Sequence, residues 1–407
     1  MIPFKLSKLG PGLLFAGAAI GVSHLVQSTR AGADFGWGLL WALILTNLFK
    51  YPFFQAGPRY AMNTGESLLE GYYKIGKGYL WVYFFLNFVT MFTIQTAVTV
   101  VTAGLASKFF GFTENIVVWS IVLTFFCTLL LLIGRYQLLD GFIKIIMAMM
   151  ALCSVAAFAF ASIKTDTDLS WTQIFPRGSE LLFLVAFMGW MPAPLDISIW
   201  HSIWTLEKKK SNKKKMSLQE SLFDFNVGYV GTFILAFCFL GLGAMVMHQS
   251  GSSFSNNGTV FAGQLIGLYT ANFGQYLYWI IAIAAFTTMF STTITTLDAS
   301  PRSMSQTYRL LFPKNRSLPY IFWLIFLAFG TVMIFIFLLS EMYLLVQIAT
   351  VLSFITSPLY AFLNYKLTFG SYLPKKAQPS ILNKILAQLG LIFLFSFTLY
   401  YLLGLLT

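Results

Sequence analysis

The chain has 407 residues, a length that would fit two or three soluble domains, but its composition is unlike that of soluble domains. Apolar residues make up 57% of the sequence, aromatic residues 18% and charged residues only 10%, whereas charged residues are roughly 25% of a typical soluble domain. So few polar side chains cannot cover a globule of this size. The composition therefore excludes a soluble enzyme and a disordered chain, and it indicates a membrane protein.

The three cysteines and the net charge of +12 have ordinary explanations in such a protein. Cys127, Cys153 and Cys238 lie inside long apolar runs, so we expect packing residues and not a disulfide framework. Lysine and arginine are confined to short hydrophilic breaks, a pattern typical of membrane topology and not of nucleic-acid binding. We expect no nucleic-acid partner, and no removable signal peptide.

Apolar stretches long enough to cross about 30 Å of hydrocarbon predict about eleven transmembrane helices. The predicted spans are 11–33, 38–62, 79–108, 115–134, 140–163, 180–204, 222–248, 271–297, 319–339, 342–364 and 383–405. The first and sixth spans contain unusual breaks, at residues 21–24 and 191–196, and broken helices are typical of transporter binding sites. Residues 249–263, rich in serine and asparagine, predict an extracellular loop.

The distribution of positive charge predicts the orientation, because cytoplasmic loops carry an excess of lysine and arginine. One side collects most of these residues, among them Lys5, Lys8, Arg135, Arg316 and the Lys208–Lys215 run. The other side has Arg30, Lys108, Lys164 and Arg177. We therefore expect a multi-pass protein of the plasma (inner) membrane, with a cytoplasmic amino terminus and a carboxy terminus outside.

Seven segments form an ordered set of motifs along the chain: Leu9–Ala16, Arg30–Trp37, Leu40–Leu43, Gly65–Leu68, Met191–Pro192, Ser291–Thr295 and Ser357–Pro358. Together these segments resemble the Nramp family of divalent metal transporters. The resemblance implies an all-α polytopic membrane protein of about eleven helices with the LeuT-type arrangement. In that arrangement helices 1–5 (11–163) and helices 6–10 (180–364) form inverted repeats, and 383–405 is an extra helix. Helices 1 and 6 are discontinuous. Transport proceeds by alternating access.

The same alignment reveals departures at the positions where the family holds its metal. The family has Asp-Pro-Gly-Asn at the break of the first helix, where this chain has Gly21, Val22, Ser23 and His24. In the sixth helix the family has Met-Pro-His, and this chain has Met191, Pro192 and Ala193. A family glutamine in the tenth helix matches Thr356, and acidic residues of the third helix fall near Gln95 and Val98.

A relocated site is the first interpretation of these departures. Asp196 is costly in an uncharged helical segment unless it faces a cavity or a partner. It could replace the carboxylate lost at Gly21, and His24, Met191 and unwound carbonyls would complete a site suited to a borderline transition metal. The alternatives are that Asp196 caps the helix that follows Pro194 and that His24 is a buried, hydrogen-bonded histidine.

Other polar residues are candidates for proton movement or gating. His201 resembles a later family histidine, with a membrane-interface histidine as the alternative. Lys50 lies inside the second span, where it either snorkels or pairs with a carboxylate. Asp224 and Asp298 are expected to cap helices, with gate residues as the alternative, and four threonines could line the central cavity, namely Thr292, Thr293, Thr295 and Thr296.

Two transport hypotheses follow. The first is a secondary transporter of a divalent metal, coupled to protons. Its site would be drawn from Gly21, Ser23, His24, Met191, Ala193, Asp196 and Thr356. The additional proton or gating residues would be Lys50, Gln95 and His201. The second is the same scaffold with a non-metal solute, either an anion or a neutral molecule, held by Ser23, His24 and helix amino termini.

Because the three histidines lie in separate segments and no catalytic motif occurs, we expect neither an enzyme nor a cofactor. The expected partners are the small substrate, protons and the lipid bilayer, and the oligomeric state is left open.

Overall fold

The structure is a computed structural model that describes residues 10–134, 136–164, 170–211, 216–273, 278–314, 318–338 and 342–404. Within these residues the regular secondary structure is helical throughout. The helices are α1 (Pro11–Ala19), α2 (Ser23–Phe35), α3 (Leu40–Thr64), α4 (Leu68–Ile75), α5 (Lys77–Phe110), α6 (Ile116–Ile133), α7 (Tyr136–Lys164), α8 (Ser179–Trp190), α9 (Ile197–Ser211), α10 (Leu218–His248), α11 (Gly258–Phe273), α12 (Tyr278–Leu311), α13 (Tyr320–Phe337), α14 (Met342–Phe369) and α15 (Ile381–Gly404). Lys5, Lys8, Arg135, Arg316 and residues 213–215 of the lysine run lie outside the described residues.

Each predicted span corresponds to one helix or to a broken pair of helices, except 271–297, whose first residues belong to α11 and whose remainder follows α12 from Tyr278. By length and hydropathy alone, seven described helices could cross a membrane, or eight if α1 and α2 count as one bent span. Large apolar side chains cover the outer surface, among them Phe85, Phe125 and Ile163, which are 61%, 70% and 79% exposed. An apolar surface of this extent fits a lipid environment.

Two helices were not anticipated. The short helix α4 follows α3 and starts with a capping box, in which the Ser67 hydroxyl accepts from the Glu70 amide and the Glu70 carboxylate accepts from the Ser67 amide. The predicted extracellular loop 249–263 is wrong over its last residues, because α11 begins at Gly258. The physical reason is the Asn257 side chain, whose oxygen accepts hydrogen bonds from the amides of Thr259 and Val260 and so caps the new helix.

Both predicted breaks are present. The axis bends by 45° between α1 and α2, where residues 20–22 interrupt the helix. The sixth span divides into α8 and α9 around residues 191–196, where Pro192 follows a cis peptide bond and Pro194 removes a second backbone donor. These two interruptions leave free backbone groups inside the protein, and other parts of the chain must satisfy them.

Helix α1 is held against α10 by close backbone contact and by one carboxylate. The amides of Gly10 and Gly12 donate to the two oxygens of Asp224, at 3.0 and 2.7 Å. Asp224 therefore caps α1 from across the helix interface, not the helix on which it lies. A side chain at Gly12 would collide with the Asp224 backbone, and one at Gly228 would collide with the Gly12 backbone.

This contact generates a stability prediction. Replacing Gly228 with alanine places a methyl group 2.9 Å from the Gly12 carbonyl carbon, so α1 must move away from α10. We expect Gly228→Ala to destabilise the protein by about 1–3 kcal/mol, measured by thermal unfolding in detergent. Gly231→Ala is the matched control one turn along, because nothing lies within 4 Å of its added methyl. Equal unfolding temperatures for the two variants would contradict the close contact.

Candidate substrate site between two helix breaks

The first break is closed by a threonine of α12. The Thr292 hydroxyl lies 3.2 Å from the Gly17 carbonyl oxygen and 3.5 Å from that of Ile20, two groups that the end of α1 leaves free. Its single O–H can donate to one of these or to the Thr288 carbonyl of its own helix, also at 3.2 Å. A side chain at Gly21 would place its first carbon 2.7 Å from the Thr292 oxygen. The lack of a side chain at residue 21 is therefore what lets Thr292 approach the break.

His24 is fully buried and directs both ring nitrogens at the protein itself. Its Nε2 atom lies 2.9 Å from the Thr232 carbonyl oxygen on α10. Its Nδ1 atom lies 2.7 Å from the Ser23 hydroxyl and 3.0 Å from the Ala19 carbonyl oxygen. In the described conformation His24 therefore joins both sides of the first break to α10, and neither nitrogen is left over for a ligand.

The second break is closed by Lys50 of α3. Its ammonium nitrogen lies 2.7 Å from the Met188 carbonyl oxygen, 2.8 Å from that of Gly189 and 3.5 Å from that of Ala193. Lys50 itself is fully buried. The ammonium thus binds the carbonyl end of α8, where the helix dipole favours a positive charge. The backbone of Ala193 contributes to this contact, and its side chain is buried.

Met191 and Asp196 lie at the two ends of the second break. The Met191 sulfur is 3.6 Å from the Ser28 hydroxyl, a contact between the two broken spans. Asp196 immediately precedes α9 and is 3% exposed, and its Oδ1 atom has no hydrogen-bond partner among the described residues.

The remaining candidates lie farther from the breaks. Gln95 links α5 to α12: its amide nitrogen donates to Thr99 and to the Thr293 carbonyl, and its oxygen accepts from Thr296. Thr356 donates to carbonyls of its own helix α14. His201 is buried against the rings of Phe15 and Phe225, and neither of its ring nitrogens has a partner among the described residues.

A small cavity of about 20 Å³ lies between the two breaks. It is lined by Ala18, Ala19, Val22, Ser23, Ile94, Val98, Trp190, Pro194, Ile197, Trp200, Thr292 and Thr296. The lining residues are apolar except for three hydroxyl groups and two indole rings, and none of them is charged. The Trp200 indole nitrogen has no hydrogen-bond partner among the described residues. The sequence had suggested the two threonines, but nothing in it distinguished Trp190 and Trp200 from other membrane tryptophans.

A larger vestibule of about 670 Å³ lies beyond this cavity, toward the side predicted to be cytoplasmic. Its lining includes Leu14 of α1, Ile203 of α9 and Thr295 of α12, which are neighbours of the cavity residues along the same helices. It also includes charged residues of both signs, such as Asp298 and Arg302. The vestibule and the cavity are separate spaces in the described conformation and share no lining residue.

The candidate residues do not form a cluster of metal ligands in this conformation. Within the described residues, no group of three or more histidine, cysteine, aspartate or glutamate side chains could hold a metal ion. Of the residues predicted for the site, Ser23 lines the cavity directly, while Gly21, His24, Met191, Ala193 and Asp196 lie in or beside the breaks. Their use in substrate binding stays a prediction.

Broken helices around a central cavity define a multi-pass membrane transporter as the class of protein. The family model described as natural resistance-associated macrophage protein-like matches residues 12–404. The chain therefore belongs to the Nramp family, whose members are transporters.

Individual relatives agree with this assignment. The chain is 37% identical over 404 residues to an uncharacterized protein of Pasteurella multocida, covering 97% of this chain and 92% of the relative. It is 23% identical over 301 residues to a divalent metal cation transporter of Lacticaseibacillus casei, covering 69% of this chain and 62% of that protein. Its structure is similar to that of a manganese transporter from Eremococcus coleocola, with a TM-score of 0.75, 12% identity, and coverage of 98% and 88% of the two chains. The expected LeuT-type fold is confirmed by this likeness.

The His24 contacts generate a second prediction. Replacing His24 with leucine removes the ring that bridges Ala19 and Thr232, and it leaves the buried Thr232 carbonyl without this partner. We expect a loss of about 1–3 kcal/mol in the free energy of unfolding, read as a lower unfolding temperature in detergent. His248→Leu is the control, because His248 lies at the surface with one contact to the Ala33 carbonyl. A His24→Leu variant as stable as the wild type would show that the bridge contributes nothing.

Proposed function

We propose that this Nramp-family chain is a secondary transporter that moves a small uncharged solute through the cavity between its two helix breaks by alternating access. The observation that carries the proposal is the cavity wall, which contains no charged residue and in which the Trp200 indole nitrogen has no hydrogen-bond partner among the described residues. The other polar groups of the wall, on Ser23, Trp190, Thr292 and Thr296, already bond to the protein. Such a wall suits a solute with apolar surface and one or two hydrogen-bonding groups.

The state of the backbone carbonyls argues against a cation as cargo. Carbonyl oxygens at helix ends attract cations because the helix dipole is negative there. In this chain, Lys50 binds the carbonyls of Met188 and Gly189, and Thr292 lies in contact with those of Gly17 and Ile20. A cation entering the cavity would therefore have to displace contacts that the protein already makes.

The state of the backbone amides argues against an anion in the same way. Helix amino termini bind anions through free amide groups. At the start of α2, the amides of His24 and Leu25 donate to the Gly21 carbonyl at 3.1 and 2.9 Å. At the start of α9, the amides of Ile197, Ser198 and Ile199 donate to the carbonyls of Pro194, Leu195 and Asp196. With the groups for both signs of charge engaged, a neutral solute fits best.

The size of the cavity supports alternating access. A volume of about 20 Å³ has room for little more than one water molecule, so a solute enters only when the surrounding helices separate. The vestibule of about 670 Å³ already reaches the neighbouring residues from one side. Movement of α1 and α9, which border both spaces through Leu14, Ala18, Ile197 and Ile203, would join the vestibule to the cavity.

A divalent metal is the second candidate cargo. It is favoured by the unpartnered Oδ1 atom of Asp196, by the thioether of Met191 beside the same break, and by relatives that are named as metal transporters. In this alternative, Asp196, Met191 and a His24 released from Thr232 would be the ligands. Proton coupling, with His201, Asp196, Lys50 and Gln95 as the candidate groups, belongs equally to both alternatives.

Cysteine labelling tests which charge the cavity accepts. In a variant without Cys127, Cys153 and Cys238, we would place a cysteine in the cavity (Val98→Cys) or in the vestibule (Leu14→Cys). Three methanethiosulfonate reagents would be compared, one neutral (methyl), one cationic (trimethylammonium-ethyl) and one anionic (sulfonatoethyl). We expect each charged reagent to react at least about tenfold more slowly with the cavity cysteine than with the vestibule cysteine. The reason is that a charged reagent must lose its hydration to enter the cavity. Faster reaction with the cationic reagent would favour the metal alternative.

A further inference from the structure

Two prolines in the second break create a small cage of carbonyl oxygens at the end of α8. In an uninterrupted helix the Met188 carbonyl would accept from the amide of residue 192, but Pro192 has no amide hydrogen. The helix ends at Trp190, so the Gly189 carbonyl also lies in the last turn, where intrahelical donors are lacking. The break then turns the Ala193 carbonyl toward the same point, since all three oxygens lie near one nitrogen.

The group at that point is the amine of Lys50. Its named partners are all acceptors, two at 2.7 and 2.8 Å and one at 3.5 Å. An ammonium group has three N–H donors and no lone pair, so it matches three carbonyl oxygens, whereas a neutral amine would turn a lone pair toward them. Lys50 comes from α3, far away in sequence, and it is one of the largest fully buried side chains in the protein.

A cage of carbonyl oxygens with a positive charge at its centre has the chemistry of a monovalent cation site. We propose that the Lys50 ammonium is a tethered cation, which permanently occupies a carbonyl site that would otherwise bind a free monovalent cation. Lys50 is then a specificity-determining residue as well as a structural one. Its positive charge repels a second cation from this end of the central site. The exclusion of cationic cargo rests on the proposed function, but the occupancy of the carbonyl site does not.

Chemical rescue tests the occupancy without any transport substrate. The Lys50→Ala variant keeps the carbonyl cage and leaves space where the side chain was, so methylammonium can take the place of the lost ammonium group. We expect the unfolding midpoint of purified Lys50→Ala to fall by several degrees, and methylammonium chloride to restore part of the loss saturably. Choline chloride at the same ionic strength is the salt control, since its bulky head group cannot enter the cage.

Two further variants separate charge from packing. Lys50→Met keeps most of the side-chain volume without the charge, so its midpoint should also fall, but methylammonium should not restore it because the thioether fills the space. Lys77→Ala, at an exposed position at the start of α5, removes a lysine that makes no such contact and should change nothing. If Lys50→Ala is lost during extraction, the yield of folded protein extracted in methylammonium against that in choline gives the same comparison.

The proposal fails if Lys50→Met unfolds at the wild-type temperature, because the ammonium would then stabilise nothing. It also fails if Lys50→Ala responds to methylammonium no more than to choline. Neither outcome bears on whether the cargo is neutral, since no cargo is present. Conversely, a metal cargo found by other means would not change the rescue result. It would contradict only the argument that Lys50 excludes a cationic cargo.

Discussion

The contact between the Lys50 ammonium and the carbonyl end of α8 is the interaction on which the central site depends. A broken helix inside a membrane exposes backbone groups that lipid cannot satisfy. Here a side chain from α3 binds the carbonyls of Met188 and Gly189, and His24 joins the first break to the Thr232 carbonyl of α10. These carbonyls therefore have partners within the protein, beside a cavity lined mainly by apolar residues.

This arrangement connects local backbone chemistry to the choice of cargo. In a site that binds an ion, carbonyl or carboxylate groups without partners are available to coordinate the ion. In this chain Thr292 approaches the first break because residue 21 has no side chain, and Lys50 fills the second. Groups of the protein itself, the Thr292 hydroxyl and the Lys50 ammonium, thus lie at the carbonyl groups of the two breaks.

Much of the fold could be predicted from the sequence, because long apolar segments and the motifs around Gly10–Gly12 and Gly65–Leu68 are local signals. The two breaks were also visible, since glycine and closely spaced prolines disfavour a continuous helix, although Pro52, Pro58, Pro301 and Pro358 lie inside continuous helices. The partners of the breaks were not. Lys50 lies about 140 residues from the carbonyls that it binds, and Asp224 caps a helix more than 200 residues away. Such contacts are set by how helices pack, which periodicity does not reveal.

The measurement that tests this view of the site most directly is calorimetric titration of purified, folded protein with manganese, zinc, cadmium and magnesium ions. We expect no saturable heat from any of them, because the carbonyls and the His24 nitrogens at the breaks are already engaged. Saturable binding that disappears in both Asp196→Ala and His24→Ala would contradict it. That result would establish a relocated metal site between the two breaks.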